Sequence, residues 1–85
     1  MTITANDFRT ELRQIFSSAE SLGLSAIEIT AGSLHRRVGG YPGQSHSMPN
    51  CCSVMRQEML GADSVVSEPP SGAGASLAIR YVLPR

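Results

Sequence analysis

Leu77-Ala78-Ile79-Arg80-Tyr81-Val82-Leu83, followed by Pro84, is the stretch on which the fold turns. Leu77, Ile79, Tyr81 and Leu83 alternate with Ala78, Arg80 and Val82, and a side-chain period of two belongs to a strand with one buried face. On a helix the same apolar positions would scatter around the axis. Pro84 ends the strand. Working back from it, Pro69-Pro70-Ser71-Gly72-Ala73-Gly74 forms an uncharged, flexible tip, and Val65-Val66-Ser67 forms a short partner strand. The C-terminal third is therefore a hairpin, and whatever precedes it must pack on a sheet.

What precedes it is mostly helical. Phe8, Leu12, Ile15, Phe16, Ala19 and Leu22 recur on a 3.6-residue period, which predicts a helix over about residues 6–22. Thr4 with Asp7 has capping-box spacing, and Gly23 suits the position just past the end. Ser25 to Thr30 reads as a short strand with Ile27 and Ile29 on one face and Glu28 on the other. Thr30 caps a second helix over residues 31–38, with Leu34 and Val38 facing the core and His35, Arg36 and Arg37 more exposed. Residues 39–50 form a breaker-rich loop, including Tyr41, His46 and Ser47. A third helix follows over residues 50–60, started by Asn50 with Ser53, or by Ser47 a turn earlier. Its stripe is Cys52, Met55 and Met59, with Cys51 and Leu60 beside it, and Gly61 ends it.

Eighty-five residues, 41% of them apolar, allow one domain, residues 1–85. No apolar run is long enough to span a membrane, and the first seven residues lack the basic and apolar regions of a secretory signal. A cytoplasmic, non-membrane protein is expected. The charge is balanced, seven basic against seven acidic. That excludes nucleic-acid binding driven by bulk charge, but not a local basic face. All seven basic residues are arginine, whose planar fork suits phosphates and base edges. No Asp or Glu falls between Glu28 and Glu58, so the middle third is basic and the acids sit toward the ends.

The order helix, strand, helix, helix, strand, strand resembles a winged helix-turn-helix domain over nearly the whole chain. The segments Leu34-His35-Arg36-Arg37-Val38-Gly39-Gly40-Tyr41-Pro42-Gly43, Met48-Pro49-Asn50-Cys51-Cys52, Pro69-Pro70-Ser71-Gly72 and Ile79 to Arg85 resemble small bacterial modules. Those modules stand alone or precede HNH nuclease domains in restriction-type proteins. The winged-helix resemblance implies an α+β fold with a small antiparallel sheet. It also implies that the third helix enters the major groove and that the 69–76 loop serves as the wing. No nuclease domain fits in this chain, so no enzyme activity is implied.

The residues that fit this chemistry are few. His35, Arg36 and Arg37 are expected to grip phosphates, with a solvated basic face as the plain alternative. Asn50, Ser53, Arg56 and Gln57 are expected to read base edges, Arg suiting guanine and Asn or Gln suiting adenine, although Arg56 could instead pair with Glu20 or Glu58. In the wing, Ser71, Gly72 and Gly74 could bring backbone N–H groups to phosphate. Tyr41 could stack on a base. Adjacent Cys51 and Cys52 exclude a relaxed disulfide and, with His35 and His46, lack zinc spacing, so no metal and no cofactor is expected. Cys52 reads as core, and Cys51, near a helix start, as a candidate for a lowered pKa. The expected partner is double-stranded DNA. The alternative is a protein-interaction module, an adaptor or an inhibitor occupying a partner's nucleic-acid site, with a homodimer as a further possibility.

Overall fold

In the computed structural model, which describes residues 4–39, 48–70, 72 and 74–85, the elements run α1 (Ala5–Ser21), β1 (Ala26–Thr30), α2 (Ala31–Val38), α3 (Met48–Gln57), β2 (Ser64–Ser67) and β3 (Ala78–Val82). The fold is α+β, three helices and a three-stranded antiparallel sheet, in the order of a winged helix. The sheet runs β1-β3-β2, so the last strand is the central one. Ala26 to Thr30 pair in register with Val82 to Ala78. Ser64 and Val65 pair with Arg80 and Ile79, and a register shift between Val65 and Ser67 marks a bulge. The alternation in the C-terminal stretch holds: Leu77, Ile79, Tyr81 and Leu83 are all buried.

Local chemistry explains the helix ends. Thr4 N–H donates to the Asp7 carboxylate at 2.8 Å, and Asp7 N–H donates back to Thr4 Oγ1, a complete capping box. At the other end Gly23 adopts a φ of 79°, a conformation that favours glycine. It lets Gly23 N–H reach Glu20 O and Leu24 N–H reach Ala19 O, the paired bonds of a Schellman ending. The helix therefore stops at Ser21, and Leu22, placed in the apolar stripe by its spacing, is the C-cap and 77% exposed. In α2, Thr30 Oγ1 accepts from Ser33 N–H as the sequence suggests.

The start of α3 is a correction. Asn50 is not the cap. It lies inside a helix that begins at Met48, with Pro49 in the first turn, where the missing N–H costs no hydrogen bond. Ser47, Tyr41 and His46 lie outside the described residues. The helix also ends at Gln57 rather than near Gly61, because Asp63 draws the next residues into a turn. Leu60 N–H donates to Asp63 Oδ2 at 2.7 Å, and Asp63 N–H donates to Leu60 O at 3.0 Å. Leu60 thereby falls outside the core, 59% exposed.

Phe8, Leu12, Phe16 and Ala19 of α1 pack with Leu34 of α2, with Cys51, Cys52, Val54 and Met55 of α3, and with the inner face of the sheet. Tyr81 anchors the centre. Its ring stands edge-on to Phe16 at 4.8 Å, and its hydroxyl donates to Met55 O at 2.8 Å. Burial pushes the Tyr81 phenol upward.

The Arg85 side chain closes this core from below. Its guanidinium lies 4.6 Å from the Phe16 ring centroid and 5.1 Å from that of Tyr81. It pairs with Asp63 at 2.8 Å, the two side chains being 9% and 1% exposed, and it also donates to Glu58 O and Val82 O. Burial alone would raise the Asp63 carboxyl. Hydrogen bonds from Leu60 N–H, Val82 N–H and Arg85 outweigh that and hold it below the usual carboxylate range.

Two outcomes are expected. Arg85→Ala leaves the part-buried Asp63 carboxylate without its partner charge and should lower stability by about 1–3 kcal/mol in chemical denaturation; no measurable loss would show the pair to be dispensable. Because the folded pKa of Asp63 is depressed, its contribution is present above the unfolded value of about 3.9 and is lost as pH falls through the folded value. Thermal melts should therefore show an acid limb that is shallower in Asp63→Asn, and equal limbs would count against this assignment.

Candidate nucleic-acid interface

Of the residues expected to touch nucleic acid, seven lie on α2 and α3, but not on one face. His35 is the clearest correction. It is fully buried, its ring 4.9 Å from that of Phe8 in an edge-on contact, so it packs α2 on α1 and cannot reach a phosphate. Ala31, Leu34, His35 and Val38 make a stripe at i, i+3, i+4 and i+7, which is visible once the imidazole is counted as an aromatic rather than a polar group. Arg36 and Arg37 are exposed in the last turn of α2, where their charge complements the helix dipole. Arg37 Nε sits 2.8 Å from Glu11 of α1.

On α3, Asn50, Ser53 and Gln57 are exposed at i, i+3 and i+7, a row of amide and hydroxyl groups on the side away from the core. Gln57 Oε1 accepts from Arg9 Nη2 at 3.0 Å, which adds an α1 arginine to the end of this row. Arg56 is half-buried beside it. It pairs with Glu68 at 2.5 Å and not with Glu20 or Glu58, and it donates to Gly72 O at 3.0 Å. Glu58 instead takes Arg9 and Arg13, at 3.6 and 3.1 Å.

The connection between β2 and β3 is tied back onto the helices. Gly32 N–H donates to Ala75 O at 3.1 Å, Cys52 Sγ donates to Gly74 O at 3.4 Å, and Arg56 holds Gly72 O. Gly32 lets this approach be close: a Cβ there would stand 3.2 Å from Ala75 Cβ and 3.3 Å from its carbonyl oxygen, and the connection would have to give by a few tenths of an ångström. Gly72 N–H is already bonded to Pro69 O at 3.0 Å, and Gly74 O also accepts from Leu77 N–H. Ser71, the remaining wing residue, lies outside the described residues.

Both cysteines are free and buried. Cys51 Sγ donates to Ala31 O at 3.4 Å. Burial, with Cys52 beside it, pushes the Cys51 thiol up to about 12, the reverse of the lowering expected near a helix start. Among the described residues no three His, Cys, Asp or Glu side chains gather into a metal-binding group, and no helix is long and apolar enough to cross a membrane. Both thiols should react with a soluble disulfide reagent only at the rate of unfolding, and fast labelling of native protein would contradict this burial. No known protein family, curated protein or solved structure matches the chain.

Proposed function

We propose that this chain is a duplex-DNA-binding module in which α3 enters the major groove and Arg36 and Arg37 meet the phosphate backbone. The observation that carries the reading is the exposed row Asn50, Ser53 and Gln57 on α3. Amide and hydroxyl side chains at helical spacing are the groups that pair with base edges. The fold adds support, because its third helix is the element a winged helix offers to DNA.

The ion pairs of the surface do not oppose this reading. An exposed arginine–carboxylate pair is worth about 0–1 kcal/mol, so a phosphate can replace the carboxylate at little cost. Arg37, half exposed and in contact with Glu11, is such a case. Neutralised arginines and a balanced total charge do limit the affinity, and weak, strongly salt-dependent binding is expected.

One observation favours a second reading, a protein-interaction module. Leu22, Leu24, Leu60 and Val66 are exposed. A protein partner would cover such residues, whereas DNA would not. No enzymatic reading is proposed, since Cys51 is buried with its thiol pushed up and His35 is buried against Phe8.

The test is fluorescence anisotropy with labelled random duplex and single strand across about 50–200 mM salt. Duplex binding should fall steeply with salt. Arg36→Ala with Arg37→Ala should weaken it and flatten the salt slope by about two units, one per lost phosphate contact. Absence of duplex binding at the lowest salt would move the reading to a protein partner.

A further inference from the structure

We propose that Glu68 is a competitor in cis for Arg56, occupying the place at the flank of α3 where a nucleic-acid phosphate would sit and so setting the affinity for duplex. The inference rests on the DNA reading above and adds to it a residue that limits binding.

The argument begins with the position of Arg56. At 3.6 residues per turn, Arg56 stands roughly a quarter-turn round the helix from the row Asn50, Ser53 and Gln57. When that row faces base edges, a side chain at its flank faces the wall of the groove, which is sugar and phosphate. Arg56 is thus placed to position the helix on the backbone, and the base-reading role expected from its type does not fit its direction.

The guanidinium is held from one side by the connection between β2 and β3. Glu68 gives it a carboxylate oxygen at 2.5 Å and Gly72 gives it a carbonyl oxygen at 3.0 Å. The two contacts differ in kind. The carbonyl is main chain in a segment bonded to α2 through Ala75 and to α3 through Gly74, so it fixes where the guanidinium sits. The carboxylate is a side chain 58% exposed, free to swing into water. A phosphate oxygen presents the same charge and the same acceptor geometry to an arginine fork. It can take the place of the Glu68 carboxylate while Gly72 O keeps Arg56 aimed.

Glu68 then opposes binding in two ways. Its carboxylate must be displaced before the phosphate can pair with Arg56, and its charge afterwards remains within a Debye length of the incoming phosphate. Removing the charge removes both effects. The sequence alone hides this relation. Glu68 lies twelve residues beyond Arg56, across a turn and a strand, and next to Pro69 it reads as a solvated loop acid.

The experiment compares wild type, Glu68→Gln, Glu28→Gln, Arg56→Ala and the double variant Arg56→Ala/Glu68→Gln on the labelled random duplex. Glu28 stands on the outward face of the sheet opposite Arg80 and away from α3, so its variant makes the same change of net charge elsewhere. Glu68→Gln should bind about three- to tenfold more tightly at fixed salt, with a salt slope steeper by about one unit. Glu28→Gln should gain much less, and the gain should vanish in the Arg56→Ala background. Wild-type binding that is unchanged by Glu68→Gln, matched by Glu28→Gln, or still improved without Arg56 overturns the competition alone. Absence of duplex binding by both wild type and Glu68→Gln overturns the DNA reading and the competition with it.

Discussion

The part-buried pair of Asp63 and Arg85 is the point on which the other parts converge. Asp63 spends its oxygens on Leu60 N–H, Val82 N–H and the guanidinium of Arg85. One carboxylate thereby fixes the turn after α3, the end of the central strand and the last side chain. Arg85 in turn lies over two aromatic rings and bonds to the main chain of Glu58, while its own N–H donates to Glu20 of α1. A small domain has little core to spare, and a charge pair partly removed from water is held best when its donors and acceptors are matched. The match here joins α1, the α3–β2 turn and β3 at one place.

The arrangement of charge in space differs from its arrangement in sequence. The acid-free stretch between Glu28 and Glu58 suggests a basic face. Folding brings Glu11 to Arg37 and Glu68 to Arg56, so acids from both ends reach into the middle. Arg9 and Arg13 share Glu58 in the same way. The outcome is a surface of small, local dipoles rather than a positive stripe. Such a surface favours binding that depends on fit and exchange of partners over long-range attraction.

Much of the fold was legible because it rests on local rules. The capping box of Thr4 and Asp7, Gly23 past the helix end and the alternation from Leu77 to Leu83 each act within a few residues, and each is where its spacing implied. The errors come from interactions that local rules do not reach. Polarity places His35 on the surface, yet its flat ring packs beside Phe8. The end of α3 depends on a carboxylate six residues further on, itself held by Arg85 from 22 residues away. Cys51 sits near a helix start, but the low dielectric of the core outweighs any help from the helix dipole. In the site, the polar row of α3 could be read from spacing, whereas the partner of Arg56 could not, because it depends on how the β2–β3 connection returns over the helices.

The sheet order carries a consequence for how the chain acquires its structure. β1 and β2 have no contact of their own in the sheet, and each is paired only through β3. During synthesis β1 therefore leaves the ribosome some fifty residues before its partner exists, and the chain ahead of Ala78 can form helices but not this sheet. Tyr81, which bonds to α3 and packs on α1, emerges with that same strand. Neither the sheet, nor the centre of the core, nor the Asp63–Arg85 pair can be complete before β3 and Arg85 have been made. Until then the residues of β1 and β2 have no strand to pair with in this sheet.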